Sequence, residues 1–309
     1  MKSHLRNEKI RKIYGSTWDY SPSVIKTYLK SLKSDWNHLL LIRDPEKQKT
    51  TDGKELLTMI QWNSMNERFV LVTGSSGGFG SAISSEIAKK GMNVLLHYNR
   101  SESEARNLEQ KIKKIGVETE LVSADLSIPE GPERLSGEIL QRGMRLSGIV
   151  NNAGISRPGS ASTIKEEDWD AVNNVNLRSP VFLVKKLLPA MDKPSSVVNI
   201  ASAAGIKAGL SSIAYESTKA GLIHATRSMA IALAPDIRVN AIAPGFVRTN
   251  INSHRLSEEN VLNSILSKTP LKKLGKSEDI AKLVAFLLSD DSSFITGETI
   301  VIDGGITLT

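Results

Sequence analysis

Four residues in this chain have the types and spacing for proton transfer to a substrate oxygen: Asn176, Ser202, Tyr215 and Lys219. Tyr215 and Lys219 are four positions apart, so a helix would set them one turn apart on one face. A free phenol titrates near about pH 10 and is a poor acid or base at neutrality, and an adjacent ammonium is expected to lower that value by favouring the phenolate. Ser202 lies 13 residues before Tyr215 and just past the apolar run Val197-Val198-Asn199-Ile200. A strand would end there, at the mouth of a site, with the hydroxyl available to a substrate oxygen. A Tyr-x-x-x-Lys pair alone also suits an ordinary helix surface with a half-buried aromatic. The set of four is far more selective.

A second group of residues suits a phosphate. The string Thr73-Gly74-Ser75-Ser76-Gly77-Gly78-Phe79-Gly80 follows the apolar run Phe69-Val70-Leu71-Val72 and opens a helix-like stretch at Ser81. Strand, glycine turn and helix in that order bring unpaired backbone N–H groups to an anion, and glycine lets a pyrophosphate approach without a Cβ in the way. Asn99, Arg100 and Ser101 follow the next apolar run, and Arg100 lies 20 residues after Gly80. A carboxylate in that place would hold both ribose hydroxyls of NAD(H), whereas a guanidinium can clasp a 2′-phosphate. NADP(H) is therefore favoured over NAD(H). The competing reading makes Ser101 a helix cap, with Glu104 three residues on and Arg100 facing solvent.

These groups need a scaffold that brings strand ends together. Apolar runs at 69–73, 93–97, 119–123, 148–151, 196–200, 237–242 and 298–302 alternate with helix-like stretches. Gly91 and Gly116 sit where two of those helices should stop. The expected fold is α/β: a doubly wound, parallel, seven-stranded sheet with helices on both faces and its ligand at the carboxyl ends of the strands. The stretch from Gly245 to Lys276 breaks the alternation, carries scattered apolar residues, and is read as a substrate lid.

Composition narrows the classes. The 309 residues are 40% hydrophobic and 24% charged, enough for a sizeable core. There is no cysteine, which excludes disulfides, thiolate metal sites and a cysteine nucleophile. No apolar run is long enough to span a bilayer, and no secretory signal is visible, so a cytoplasmic location is expected. No metal is required by the chemistry of the four residues.

The motifs together resemble the short-chain dehydrogenase/reductase family, in its β-ketoacyl-ACP reductase-like branch. They stand as the glycine turn 73–80, Ala124-Asp125-Leu126, Asn151-Asn152-Ala153-Gly154, Val175-Asn176-Leu177, Ser202 with Tyr215 and Lys219, Pro244-Gly245, and Val301-Ile302-Asp303-Gly304-Gly305. The resemblance spans Glu67 to the C-terminus and implies a Rossmann-like fold. It implies that Tyr215 exchanges a proton with the substrate oxygen, Lys219 lowers its pKa and binds the nicotinamide ribose, and Ser202 orients the substrate. It also implies that Asn176 positions a water linking Lys219 to solvent and that Asp125 meets the adenine amino group. Asn152 and Ala153 would line the cofactor, and Thr249 with the Val247 backbone would hold the carboxamide. Family members commonly form homotetramers or homodimers, through helices near 166–191 and 215–234.

Two features depart from or fall outside that pattern. Residues 1–64 precede the natural start of such a reductase at Met65, and hold twelve basic against seven acidic residues, +5 of the formal +7, with three of the four tryptophans. They read as a small, mainly helical extension: an amphipathic helix from Ser21-Pro22, a short strand at Leu39-Leu40-Leu41-Ile42 near Trp36, a charged linker from Asp44 to Gly53, and a helix from Glu55 to Trp62. Packing against the body or a neighbouring subunit accounts for such a segment, and so would docking an acidic carrier or an anionic surface; no nucleic-acid motif is present. Substrate identity stays open among 3-oxoacyl thioesters, with acyl carrier protein as partner, sugars, and small or polycyclic ketones. Carrier-dependent relatives offer basic residues beside the cleft. Lys193 is basic here, but Pro235-Asp236 stands where an arginine is frequent, which weakens that assignment. A non-catalytic NADP-sensing protein with the basic extension as its arm is the alternative of a different class.

Overall fold

The apolar runs of the sequence become the middle of one parallel sheet. The computed structural model describes residues 68–249 and 258–309, together with 42–43 and 50–51. The chain divides into two units, Met1–Asn66 and Glu67–Thr309. In the first, β1 (Ile42–Arg43) pairs antiparallel with β2 (Thr50–Thr51), Ile42 opposite Thr51. Thr50 and Thr51 fall inside the expected linker, which is corrected to that extent. The two helices expected in residues 1–64 lie outside the described residues, as do positions 250–257 of the expected lid.

The second unit carries β3 (Arg68–Val72), β4 (Asn93–Tyr98), β5 (Thr119–Ser123), β6 (Arg145–Asn151), β7 (Met191–Ile200), β8 (Ile237–Pro244), the short β9 (Val247–Arg248) and β10 (Gly275–Lys276), and β11 (Thr299–Ile302). Seven of them form the sheet in the order β11-β8-β7-β6-β3-β4-β5, every neighbouring pair parallel. The strand order reverses between β3 and β6, and at that reversal a crevice opens outside the carboxyl ends.

Strands buried on both faces read as continuous apolar runs because each alternate side chain meets a helix layer. Val70 and Val72 pack with Ile83, Ile87, Val198 and Ile280 on one face, while Leu71 packs with Leu135, Ile139, Leu183 and Val239 on the other. The helices of this unit among the described residues are α1 (Gly80–Lys89), α2 (Glu102–Lys113), α3 (Gly131–Gln141), α4 (Glu166–Asn173), α5 (Ser179–Leu187), α6 (Ile213–Leu233), α7 (Glu259–Lys268) and α8 (Ser277–Leu288). Gly91 and Gly116 follow α1 and α2 with φ of 80° and 101°, the left-handed backbone that ends a helix cheaply only at glycine. Between α4 and α5 the chain widens into a π-type turn at Asn174–Arg178, a distortion that recurs at functional sites.

Candidate active site

One cavity of about 790 Å³ lies along the carboxyl ends of β3, β4, β6, β7 and β8. At one end is the glycine turn. Gly74 and Gly78 have φ of 62° and 53°, and a Cβ on Gly80 would fall 2.2 Å from the Gly74 carbonyl oxygen, so these positions accept little besides glycine. The backbone N–H groups of Ser76, Gly77, Gly78 and Phe79 have no partner within the described residues, and α1 begins directly behind them. That is the donor set an anionic diphosphate needs. Thr73 fastens the turn to the next segment: its Oγ1 accepts from the N–H groups of Asn152 and Ala153, both at 3.0 Å. The Asn152 amide donates to the carbonyls of Thr73 and Gly74 at 2.9 and 3.0 Å.

Next to the turn lie Asn99, Arg100 and Ser101, beyond β4, and Asp125 and Leu126, beyond β5. Asp125 accepts from the hydroxyl and the N–H of Ser127 at 2.6 and 2.9 Å. Those bonds, with Arg100 and Asn99 adding to them, hold its carboxyl below the usual range. Arg100 is exposed and makes no ion pair among the described residues. Ser101 begins α2, but its side chain makes no capping bond, and Glu104 is engaged by Ser103 instead.

At the other end Ser202 follows β7, and α6 carries Tyr215 and Lys219. The three line the cavity together, with Ser202 near enough to the Tyr215 phenol to act on its titration. Ser202 also accepts from the Ala204 N–H at 3.1 Å. Lys219 is 3% exposed and donates from Nζ to the Ile200 carbonyl at 2.7 Å, the last residue of β7. Burial lowers its pKa from 10.5 to about 8. Gly205 keeps this geometry: a Cβ there would stand 2.6 Å from the Lys219 carbonyl carbon, so only glycine lets the Ala203–Gly205 turn lie on α6.

A glycine cradle and a tyrosine–lysine pair, joined by one cavity at the reversal of a parallel sheet, agree with the comparisons to known proteins. A family model described as Enoyl-(Acyl carrier protein) reductase matches residues 74–307. The 3-oxoacyl-[acyl-carrier-protein] reductase FabG of Staphylococcus epidermidis is 34% identical over 239 residues, 76% of this chain and 97% of that protein. A short-chain dehydrogenase/reductase from Serratia marcescens superposes with a TM-score of 0.74 at 26% identity, covering 79% of this chain and 99% of its own. The chain belongs to the short-chain dehydrogenase/reductase family. It is an NAD(P)-dependent oxidoreductase, similar to FabG, with the Rossmann-like fold of its relatives. The structure of an angucycline C-6 ketoreductase, LanV, with bound NADP is 28% identical with a TM-score of 0.73, covering 79% of this chain and 97% of its own.

Not every expected site residue of this family member reaches the cavity. Gly154, Pro244, Gly245, Val247 and Thr249 line it, as do Gly74, Ser76, Gly78, Phe79, Asn152 and Ala153. Ser75, Gly80 and Asn176 stand behind its wall. Ser75 is fully buried, with its hydroxyl on the His97 carbonyl at 3.1 Å. Asn176 is fully buried in the π-type turn; its side-chain amide accepts from the Ile155 N–H and donates to the Ile155 carbonyl, both at 2.9 Å. It also reaches Thr218 Oγ1 at 3.3 Å, so its side chain ties the exit of β6 to α6.

Two expectations need correction. Burial raises the Tyr215 pKa, with Ser202 acting against it, rather than Lys219 lowering it. The Lys219 ammonium sits 5.5 Å from the ring centre and spends its hydrogen bond on Ile200. Lys193 is not beside the cleft: it lies at the amino end of β7, ion-paired with Asp236. Residues missed from the sequence include Ser127, Arg157, Ser211, Phe246 and, from the expected lid, Ile265, all lining the cavity, and His97. His97 is a polar residue directly after the apolar run Val94-Leu95-Leu96 in β4, a signal available in the sequence.

Proposed function

We propose that this chain interconverts a ketone and a secondary alcohol with NADP(H), using Tyr215 as proton donor. The observation that carries the reading is the convergence of Ser202, Tyr215 and Lys219 in the cavity that also holds the glycine turn and Arg100. In the reducing direction the substrate carbonyl oxygen accepts from the Ser202 and Tyr215 hydroxyls. The free amides of the glycine turn, with Arg100 beside them, would hold NADP(H), which when bound would supply the hydride for the carbonyl carbon. Negative charge then gathers on the oxygen, and Tyr215 passes its proton there. The raised pKa keeps that proton on the phenol at neutral pH, so the residue is loaded for donation. Lys219, with a pKa of about 8, is mostly charged at neutrality and is held one helical turn from Tyr215 by its bond to the Ile200 carbonyl. Asn176 acts as a positioning residue that fixes α6 against the exit of β6.

Arg100 supports NADP(H) over NAD(H), since a guanidinium beside the ribose end pairs with a 2′-phosphate and, having no acceptor, cannot take the hydroxyl hydrogens that a carboxylate would. The FabG relative supports a 3-oxoacyl thioester, with acyl carrier protein as partner, while the angucycline C-6 ketoreductase LanV supports a cyclic ketone. The test is a substrate panel with NADPH: a 3-oxoacyl thioester, a keto sugar, a cyclic diketone and a 2-enoyl thioester, for wild type and Tyr215→Phe. Oxidation of NADPH with one ketone, lost in the variant, supports the reading. Turnover of the enoyl thioester alone, or of nothing, overturns it, and the second result favours a cofactor-sensing protein.

A further inference from the structure

We propose that His97 is a positioning residue of the cofactor site, a buried neutral imidazole that braces the glycine turn against the ends of β4 and β5. The inference rests on the NADP(H) reading of the preceding section and goes beyond it, since His97 is not among the residues assigned to cofactor or substrate there.

The side chain is 2% exposed and lies at the wall of the cavity. Its Nε2 is 3.1 Å from the Ala124 carbonyl oxygen, which only accepts, so Nε2 carries the hydrogen. Nδ1 is then bare, and it accepts from the Gly74 N–H at 3.1 Å. The two bonds fix one tautomer and require the uncharged ring, because a protonated Nδ1 would face the Gly74 N–H donor to donor. Burial supports that state by pulling the pKa from 6.5 down to about 4. The main chain adds to the brace: the His97 carbonyl accepts from the Ser75 N–H at 2.9 Å and its hydroxyl at 3.1 Å.

His97 therefore joins Gly74 and Ser75 of the glycine turn, the strand that leads to Asn99 and Arg100, and the residue before Asp125. These three segments meet the diphosphate, the ribose phosphate and the adenine in the proposed complex. One imidazole ring adds a side-chain tie to the main-chain bonds that already join them. The Gly74 N–H is also consumed by this bond, which leaves anion recognition to the amides of Ser76 through Phe79. An aliphatic residue in place of His97 would leave a half-buried N–H and a buried carbonyl without these partners.

The experiment uses the full chain as wild type, His97→Leu and His97→Asn; asparagine restores an acceptor where Nδ1 faces the Gly74 N–H, while its amide stops short of the Ala124 carbonyl. Nitrogen NMR of the wild-type imidazole, amide hydrogen exchange at Gly74, and NADPH affinity by fluorescence are read together. The brace predicts hydrogen on Nε2 only, faster Gly74 exchange and about tenfold weaker NADPH binding in His97→Leu, with partial recovery in His97→Asn. Hydrogen on Nδ1 in the wild type overturns it without any variant having to fold. So does unchanged Gly74 exchange and NADPH affinity in His97→Leu, or an asparagine variant no better than leucine. Wild type that binds no NADPH, with Gly74 exchange still responding to the substitutions, overturns instead the cofactor reading on which the inference rests.

Discussion

Replacing Lys219 by methionine should stabilise the ligand-free protein at neutral pH while abolishing turnover. Lys219 is almost fully buried, and its pKa falls from 10.5 to about 8. At about 1.4 kcal/mol for each pH unit, the folded state bears about 3 kcal/mol for keeping the ammonium charged at neutrality. Methionine fills similar volume without charge but loses the bond to the Ile200 carbonyl, which costs about 1 kcal/mol. The expected net gain near about pH 7 is roughly 2 kcal/mol. The sign depends on pH in a defined window. Between pH 8 and 10.5 the unfolded lysine binds more proton than the folded one, so wild-type stability rises with pH there relative to the variant. Above the window the charge penalty is gone and the variant is the weaker by about the hydrogen bond. Urea unfolding followed by circular dichroism, at neutral pH and near the top of that window, measures both limits. A variant less stable than wild type by the same amount at both pH values would refute the buried-charge argument.

Other substitutions test separate parts of the account. Arg100→Ala should weaken NADPH binding about 30-fold, roughly 2 kcal/mol for a charge-assisted pair, and leave NADH binding unchanged; fluorescence titration with both nucleotides decides it. Gly205→Ala places a Cβ against the α6 backbone at Lys219 and should destabilise by about 1–3 kcal/mol, with a fall in kcat larger than any change in nucleotide affinity. Thr73→Val leaves the Asn152 and Ala153 N–H groups without their acceptor and should cost about 2–3 kcal/mol in thermal or urea unfolding, whereas Thr73→Ser should stay close to wild type. Ser202→Ala should lower kcat about 100-fold, with Tyr215→Phe lower still, in steady-state assays on whichever ketone is turned over.

Much of the fold could be read directly because buried parallel strands leave an unmistakable trace. Val70 to Val72 and Val94 to Leu96 are apolar throughout, and glycines mark the helix ends at 91 and 116. Strand starts were harder: β6 and β7 begin at Arg145 and Met191 rather than 148 and 196, since their pairing is irregular between Leu146 and Gly148 and Lys193-Pro194 breaks the apolar pattern. In the site, glycine positions and the Tyr215–Lys219 spacing carry their geometry in the sequence. The His97 brace does not, because its partners are backbone groups 23 and 27 positions away. The pKa of Tyr215 was misjudged for a related reason: spacing on a helix says which side chains are neighbours, not how deeply both are buried or where the lysine spends its hydrogen bond.

The central claim is that this cavity moves hydride from NADPH to a carbonyl carbon while Tyr215 supplies the proton. The most direct test is label transfer: the full chain is given NADPH deuterated at the reactive nicotinamide carbon and the ketone selected by the substrate panel, and the product is examined by mass spectrometry and NMR. The account predicts one deuterium on the carbinol carbon with wild type and none with Tyr215→Phe. Oxidation of NADPH without label at that carbon, or undiminished transfer by Tyr215→Phe, would contradict it.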